Sequence, residues 1–483
     1  MNNYLDLDIN EIHKLLVDKK IKPIDLVNEA FERIENNKDL NAFITLDKEN
    51  ALKRAKELEE VTPDNLLYGI PIAIKDNIVT KDLKTTCASH ILDNFMPIYD
   101  ATVVKKIKDA NMIIIGKTNM DEFAMGSTSQ TSYYGAPLNP WNKTKISGGS
   151  SGGSAVCVSA RLTPFALGSD TGGSIRQPSS YCGIVGMKPT YGRVSRYGLV
   201  AFGSSLDQIG PMTRNVYENA VLLNLISGRD DNDLTSSHRE VEDYTRKIGK
   251  DIRGMHIAVP NFFMSEIVSK EVKDKVNEVI DMLKENGATI DYIDIDYIEN
   301  AVTLYQIIAM GEASSNLARF DGVKYGYSKE NPSSVDDLYG YTRGEGFGEE
   351  VKRRIMVGSY LLSGDNAKIY YDKALQIRNG IRESFLEAFK KYDLIIGPNA
   401  TTVAYNLNEG LDDPRKTFLD DILVIPVNMA GLPGMNVPIG FNNDNLPIGL
   451  QIIGNSWDEA TMYQLASFIE KKLDLELIPR EVK

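Results

Sequence analysis

The chain has 483 residues, of which 42% are hydrophobic and 25% are charged, and its formal net charge is −13. These values are typical of a globular protein with a large core, and the acidic balance argues against direct phosphate contacts with a nucleic acid. No apolar run approaches the roughly 18 residues of a membrane span, and the first eight residues lack the basic and apolar regions of a secretory signal. Three scattered cysteines fit neither a disulfide framework nor a zinc site. We therefore expect a cytoplasmic protein that has no membrane association and no metal site of its own.

Helices dominate the first sixty residues. Apolar residues recur at helical spacing from Ile24 to Ile34, and residues 51–60 are rich in Ala, Leu, Lys and Glu. Short apolar runs bounded by Gly, Pro or polar residues then predict buried strands, at 70–74, 111–115 and 164–167. Between these strands the pattern is again helical, for example at 101–109.

The same alternation returns in the second half of the chain. Strands are predicted at 255–259, 288–296, 394–397, 422–427 and 450–453, and a helix is predicted to begin after Ser269. This order predicts an α/β fold with a central mixed β-sheet covered by α-helices on both faces. Because no repeat or low-complexity linker interrupts the chain, we expect one domain over 1–483, with an N-terminal helical segment (1–60) packed on its core.

A dense glycine-serine segment is the most informative feature of the sequence. Residues 147–176 contain seven glycines and seven serines, and all of these except Ser159 lie in the two blocks 147–154 and 168–176. Small residues leave backbone N–H groups uncovered, and uncovered N–H groups beside a serine nucleophile are the parts of an acyl-transfer site.

Two common interpretations of nearby motifs fail. Residues 148–152 match G-x-S-x-G, but the nucleophile elbow needs an apolar strand before it and a histidine base after it. The preceding residues 136–145 are polar and contain two prolines, and neither downstream histidine, His238 or His256, lies in a suitable context. Residues 113–118 resemble the end of a P-loop, but Asn111 replaces the required glycine, so we expect no ATP binding in this chain.

A serine enzyme without histidine needs another base, and lysine is the usual substitute. Lys75 ends an apolar run, so burial is expected to lower its pKa and allow the neutral amine to act near pH 7. Asp76 points to the opposite face if the strand continues. Ser174 is the best nucleophile candidate, because Thr171, Gly172 and Gly173 before it offer consecutive N–H groups for an oxyanion. Taken alone, each of these residues also fits an ordinary structural role.

Together, these segments resemble the amidase signature family. The resemblance rests on residues 148–154, on residues 168–178, on the run that ends at Lys75, and on the 24-residue spacing between Ser150 and Ser174. It implies the amidase signature fold and a Ser-Ser-Lys triad. In that triad Ser174 attacks the amide, Ser150 relays the proton and Lys75 is the final base.

Within the family, the resemblance is greatest to the A subunits of aspartyl/glutamyl-tRNA(Asn/Gln) amidotransferases, on segments such as 120–126, 188–195 and 198–207. It implies hydrolysis of glutamine to glutamate and ammonia. It also implies that Arg354 binds the glutamine carboxylate and Asp421 its ammonium group, with Tyr305 nearby. Because Asp420 precedes Asp421, the sequence leaves open which of the two is used. The loop 123–127 is expected to line the same pocket.

The resemblance further implies a heterotrimer. Its tRNA-binding B subunit, the transamidase, would use ATP and Mg²⁺ and receive the ammonia, and a small C subunit would complete the complex. This chain would then need no cofactor and would meet tRNA only through its partner, which agrees with its acidic surface. The sequence does not say whether Glu-tRNA(Gln), Asp-tRNA(Asn) or both are served. Two alternatives stay open, a free-standing amidase for another small amide and an inactive amidase-fold scaffold.

Overall fold

A single mixed β-sheet runs through the protein. The computed structural model describes residues 3–58, 61, 63–409, 419–480 and 482, and the eleven strands in that part of the chain all belong to this sheet. In chain order they are β1 (Phe43–Leu46), β2 (Pro71–Lys75), β3 (Ile113–Thr118), β4 (Phe165–Asp170), β5 (Val185–Lys188), β6 (Gln208–Thr213), β7 (His256–Pro260), β8 (Thr289–Ile293), β9 (Leu394–Pro398), β10 (Gly434–Phe441) and β11 (Pro447–Gly454). Their spatial order is β1-β3-β2-β4-β6-β5-β10-β11-β9-β7-β8.

Helices connect and flank these strands. In the described residues they are α1 (Ile9–Val17), α2 (Pro23–Asn36), α3 (Lys48–Glu57), α4 (Thr102–Asp109), α5 (Gly152–Ser159), α6 (Arg176–Cys182), α7 (Val216–Ile226), α8 (Lys270–Glu285), α9 (Ala301–Asn316), α10 (Val335–Gly346), α11 (Glu349–Leu361), α12 (Asp372–Ala388), α13 (Ile425–Ala430) and α14 (Glu459–Leu473). None of the helices described combines the length and the apolar character needed to cross a bilayer.

Both faces of the sheet are covered. Successive side chains of a strand point to opposite faces, and every residue of β2, β3, β4 and β6 is buried. The N-terminal helices add Ile9, Ile12 and Leu26 to the same hydrophobic core that contains the sheet. This architecture confirms the predicted α/β fold class. The helix predicted over 51–60 is found as α3, and residues 59 and 60 lie outside the described residues.

Three parallel strands create the end of the sheet on which the candidate site lies. β2 pairs in parallel with β3 on one side and with β4 on the other. Their carboxyl ends therefore point the same way, and Lys75 and Asp170 both lie at this edge. Crevices outside the carboxyl ends of parallel strands are where α/β proteins bind ligands.

One predicted strand is wrong. Residues 422–427 were expected to form a strand, but Ile425–Ala430 is the short helix α13, with a proline in its first turn. All six helical residues are buried, and a short run that is apolar on every side does not distinguish a buried strand from a buried helix. The proline contributes, because its fixed φ suits the first turn of a helix.

Candidate active site

Lys75 is the centre of a buried group of hydroxyls. Its side chain has no solvent exposure, and its Nζ lies 2.7 Å from Ser150 Oγ, 2.8 Å from Ser151 Oγ and 3.2 Å from the Ser169 carbonyl oxygen. Burial lowers the pKa of Lys75 to about 7, against an opposing effect of more distant carboxylates, Asp121 first among them. A substantial fraction of the amine is therefore neutral at physiological pH and can accept a proton.

Asp76 does not enter this group, although β2 ends at Lys75 and Asp76 lies in the following turn, not in the continuing strand that the alternation argument assumed. Its Oδ2 accepts the Thr86 N–H at 2.9 Å and the Thr86 hydroxyl at 2.5 Å. Its Oδ1 lies 3.7 Å from Lys117 Nζ. The carboxylate next to Lys75 in sequence thus has its own cation and leaves the Lys75 amine without a close counterion.

The first glycine-serine block holds Ser150 against Lys75. The block has no strand before it, and it leads directly into α5, so it is not a nucleophile elbow. The Gly149–Ser150 peptide is cis. Ser150 is completely buried, and its carbonyl oxygen accepts the Asp121 N–H at 3.2 Å. Glycine is required at 149, because a Cβ there would lie 2.1 Å from Asp121 Oδ2.

The second block forms a tight turn around the Asp170 carboxylate. β4 ends at Asp170, and its carboxylate accepts the N–H groups of Gly173 at 2.8 Å and Ile175 at 3.2 Å, and Nε of Arg176 at 3.0 Å. Burial alone would raise the pKa of Asp170, but Arg176 holds it well below its usual range. Ser174 lies in this turn with 6% of its surface exposed, and its carbonyl oxygen accepts the Ser151 N–H at 3.1 Å. The two blocks, 147–154 and 168–176, therefore touch directly.

The turn leaves N–H groups for an oxyanion, but not the full predicted set. The Gly173 N–H is already donated to Asp170. Among the residues that the structure describes, the N–H groups of Thr171, Gly172 and Ser174 make no hydrogen bond to a protein acceptor. The Thr171 hydroxyl donates to Asp207 Oδ1 at 2.6 Å, which fixes the start of the turn. The donors available for an oxyanion are therefore those of Thr171, Gly172 and Ser174.

Two of the three predicted substrate contacts lie directly against this turn. A Cβ on Gly172 would lie 2.8 Å from Cζ of Tyr305, and a Cβ on Gly173 would lie 3.1 Å from Oδ1 of Asp421. That Asp421 oxygen is buried, and it has no hydrogen-bond partner among the described residues. Burial raises the pKa of Asp421 well above its usual value. A cationic group of a substrate would satisfy this carboxylate.

Asp420 has a different environment. Its Oδ2 accepts the Tyr405 hydroxyl at 2.6 Å, and the residue is 4% exposed. The geometry therefore favours Asp421 over Asp420 as the carboxylate that faces the Ser174 turn.

Arg354 supplies a positive charge, opposite to that of the Asp421 carboxylate. It is only 7% exposed, its Nε donates to Glu350 Oε1 at 2.6 Å, and its guanidinium carbon lies 5.5 Å from the centre of the Phe202 ring. Burial raises the pKa of Tyr305, and the nearby Arg354 cation opposes that shift. Tyr305 therefore lies within the electrostatic reach of both charged side chains.

Comparison with known proteins agrees with this geometry. The amidase family model matches residues 25–463. The chain belongs to the amidase family. This confirms the resemblance carried by the two glycine-serine blocks and by Lys75.

Individual relatives cover nearly the whole amidase chain. The A subunit of the glutamyl-tRNA(Gln) amidotransferase of Pediococcus pentosaceus is 54% identical over 470 residues, which are 97% of this chain and 96% of the relative. The protein of the same description from Listeria innocua is 53% identical, with 97% of each chain covered.

Solved structures confirm the fold. The A subunit of a glutamyl-tRNA(Gln) amidotransferase from Thermotoga maritima superposes with a TM-score of 0.84 at 40% identity, covering 100% of this chain and 99% of the other. A peptide amidase from Stenotrophomonas maltophilia gives a TM-score of 0.83 at 26% identity, covering 100% of this chain and 99% of that enzyme.

The sequence argument missed two residues of this amidase site. Ser151 contacts Lys75 Nζ, and its hydroxyl also donates to the Ser169 carbonyl oxygen at 3.1 Å. Asp170 organises the turn of Ser174. A signal for Asp170 was present, since aspartate at the end of a strand before a glycine-rich turn accepts backbone N–H groups further along. Ser151 had no separate signal, because a serine pair does not reveal which member faces the base.

Proposed function

We propose that this amidase is the glutamine-hydrolysing subunit of a tRNA-dependent amidotransferase and that it releases ammonia for a partner protein. The observation that carries the proposal is the buried Lys75 amine, 2.7 Å from the Ser150 hydroxyl and beside the turn of Ser174. Curated relatives of the same length, described as the A subunits of glutamyl-tRNA(Gln) amidotransferases, support the assignment of the reaction.

The contacts of Lys75 indicate the direction of proton transfer. Ser151 Oγ donates to the Ser169 carbonyl oxygen, so its lone pairs are left to accept a Lys75 N–H. The second N–H of a neutral amine is taken by the Ser169 carbonyl oxygen. The lone pair of Nζ is then left for the hydroxyl proton of Ser150, and Ser150 can in turn accept the proton of the nucleophile.

The proposed reaction follows from this arrangement. Ser174 Oγ attacks the carboxamide carbon of glutamine, while its proton passes through Ser150 to Lys75. The N–H groups of Thr171, Gly172 and Ser174 stabilise the negative oxygen of the tetrahedral intermediate. Lys75 returns the proton through Ser150 to the departing nitrogen, and ammonia leaves. Water then cleaves the glutamyl ester of Ser174 by the same relay and yields glutamate.

Charge complementarity supports glutamine as the substrate. Free glutamine carries a carboxylate and an ammonium group, and the site offers the Arg354 cation and the unpartnered Asp421 carboxylate near Tyr305. An amide without an ammonium group would leave the buried Asp421 oxygen unpaired, which is costly, whereas Arg354 is already paired through its Nε with Glu350. In the proposed complex, the tRNA-binding transamidase (the B subunit) holds ATP and Mg²⁺ and receives the ammonia, and a small C subunit with no role in the chemistry proposed here completes the assembly.

The proposal is tested by giving the assembled complex either glutamine or ammonium as the nitrogen donor. Ser174→Ala should abolish transamidation of misacylated tRNA from glutamine and leave transamidation from ammonium intact. Loss of both activities would contradict a role of Ser174 in ammonia release alone.

A free-standing amidase is the second candidate, because the superposition with a peptide amidase covers the whole chain. If this chain were a free-standing amidase, it would hydrolyse amides without an α-carboxylate at full rate in the absence of any partner. The proposed glutaminase should prefer glutamine strongly and should respond to its partner. An inactive scaffold would form no acyl-enzyme with a glutamine-like electrophile.

A further inference from the structure

A buried glutamate joins three segments beside the active site. Glu122 follows β3 in a short 3₁₀ turn (Glu122–Ala124), and it is 3% exposed. Its carboxylate accepts the Gly348 N–H, with distances of 3.1 Å to Oε1 and 2.9 Å to Oε2. It also accepts the hydroxyl of Ser89, whose Oγ lies 3.3 Å from the Gly346 carbonyl oxygen. The mechanism proposed above gives none of these groups a role.

A side chain at position 348 would force the Glu122 carboxylate to move. A Cβ on Gly348 would lie 2.3 Å from Glu122 Oε2 and would meet no other group as closely. The backbone of Gly348, with φ −69° and ψ 167°, is one that any residue can adopt. The requirement for glycine at this position therefore arises from Glu122 and not from the backbone conformation.

The neighbouring ring contacts hold the same connection in place. The Phe123 ring packs at 5.1 Å from that of Phe320 and at 5.6 Å from that of Phe347. Glu122 and Phe123 thus hold two consecutive residues of the connection between α10 and α11. Glu122 binds the backbone there, and Phe123 packs against a side chain.

This connection leads directly to the predicted carboxylate contact. Gly348 is the residue before α11, and Arg354 lies six positions further along, which is about 9 Å at the rise of an α-helix. Because a helix moves as a rigid unit over such a distance, a shift at Gly348 also displaces the guanidinium of Arg354. Glu122, the acceptor for the N–H of Gly348, lies in the loop beside Ser150, since the N–H of the preceding residue Asp121 binds the Ser150 carbonyl oxygen.

We infer that Glu122 is a positioning residue for the substrate carboxylate, because it fixes the beginning of α11 and so places Arg354 relative to the Ser174 turn. The inference rests on the proposed function, in which Arg354 binds the carboxylate of glutamine. Glu122 is not a catalytic residue, since it acts through Gly348 and the helix.

Variants of Glu122 and Gly348 in the assembled complex test the inference by glutamine hydrolysis. Glu122→Ala and Gly348→Ala should each raise the KM for glutamine about tenfold and change kcat less than about threefold, since misplacement of a binding group weakens substrate binding. Glu122→Gln keeps one acceptor oxygen and should lie between wild type and Glu122→Ala. Burial raises the pKa of Glu122 to about 7, so glutamine is a fair mimic of a form that the native side chain populates.

The double variant Glu122→Ala/Gly348→Ala is the decisive one. Once the carboxylate is absent, the new Cβ at 348 has nothing to displace, so the double variant should show the KM of Glu122→Ala alone. Additive effects, or a fall in kcat with an unchanged KM, would show that the cluster is only structural and would overturn the inference. If Glu122→Ala does not fold, Gly348→Ala and Glu122→Gln decide the question by the same KM shift.

Arg354→Ala separates failure of this inference from failure of the proposed function. In the Arg354→Ala background, Glu122→Ala should have no further effect on the KM. If Arg354→Ala itself leaves the glutamine KM unchanged, the assignment of Arg354 fails, and with it the substrate contact proposed above. If Arg354→Ala raises the KM and the Glu122 and Gly348 variants do not, only the positioning role fails.

Discussion

Lys75 and Lys117 lie at the carboxyl ends of two neighbouring parallel strands, and both side chains are completely buried. Burial lowers both pKa values, that of Lys75 to about 7 and that of Lys117 to about 8. Their partners differ. Lys117 Nζ donates to the Ile78 carbonyl oxygen and to the Thr85 hydroxyl, both at 2.7 Å, and lies 3.7 Å from the Asp76 carboxylate. Lys75 contacts two serine hydroxyls and one carbonyl oxygen.

This difference separates a base from a structural cation. The Asp76 carboxylate opposes the effect of burial and favours the charged form of Lys117, and a charged lysine has no lone pair with which to accept a proton. Among the described residues no carboxylate lies within 4 Å of Lys75 Nζ, and the two serine hydroxyls beside it are able to give and receive protons. Asp76, the sequence neighbour of Lys75, is the counterion of Lys117.

A third buried lysine shows that a lowered pKa is not sufficient. Burial lowers the pKa of Lys188 to about 7 as well. Its Nζ donates to the carbonyl oxygens of Pro189, at 3.1 Å, and of Leu432, at 2.5 Å. Carbonyl oxygens have no proton to give, so Lys188 binds parts of the fold together. Lys117 also contacts a hydroxyl but has the Asp76 carboxylate beside it. Hydroxyl partners without a close carboxylate among the described residues, rather than a lowered pKa alone, therefore mark Lys75 as the base.

The largest expected effect comes from exchanging the lysines for methionine one at a time. Lys75→Met should lower the kcat for glutamine hydrolysis by about 10³-fold, within the range that general-base catalysis contributes. Lys117→Met should change the kcat of the folded enzyme only a few-fold. The measurement is glutamate formation by the assembled complex at saturating glutamine.

Ammonium-dependent transamidation is the control for this pair. It bypasses the site of Lys75, so both variants should retain it if they fold and assemble. A Lys117→Met enzyme as inactive as Lys75→Met would abolish the distinction between the two lysines.

The next prediction concerns the free energy of unfolding, which Lys117→Met should lower more than Lys75→Met. Lys117→Met leaves the buried Asp76 carboxylate without its cation, and breaking a buried pair on one side costs about 3 kcal/mol or more. Lys117→Met/Asp76→Asn removes both charges and should recover most of that loss. Unfolding in denaturant, followed for the two variants and wild type, measures the difference. Equal stabilities of the single and double variants would show that the pair is not coupled.

The strands around Lys75 were predictable, and several others were not. β2, β3 and β4 contain apolar runs between polar residues, so their positions follow from the sequence. β1, β5, β6 and β10 escaped prediction. In β6, Gln208–Thr213 contains Gly210 and Pro211 and has no apolar run. Such a strand is stabilised by its neighbours in the sheet, and a local pattern does not record those neighbours.

The candidate site was likewise only partly predictable from the sequence. The family motif identifies Lys75, Ser150 and Ser174 as the triad, and their roles remain predictions until variants are measured. The competition of Asp170 for the Gly173 N–H was not predictable, because it depends on how the turn folds back on the strand. The choice between Asp420 and Asp421 required the same information, since only the fold shows which carboxylate faces Gly173.

The smallest expected effect compares the two lysines most directly, because it measures the protonation of a native side chain and not the loss of that side chain. Lys75 must be neutral to act, and its pKa is lowered from an ordinary value of 10.5 to about 7. The value of kcat/KM for glutamine should therefore rise with pH through about 7 and fall about tenfold for each pH unit below it.

Lys117→Met should keep this acid limb, because Lys117 takes no part in the transfer. Glu122 also has a pKa of about 7, so the limb must persist in Glu122→Gln. Thermal melting over the same pH range excludes unfolding as the cause. A flat profile between pH 6 and 8, or a limb that moves when Lys117 is replaced, would mean that Lys75 is not the group that takes the proton.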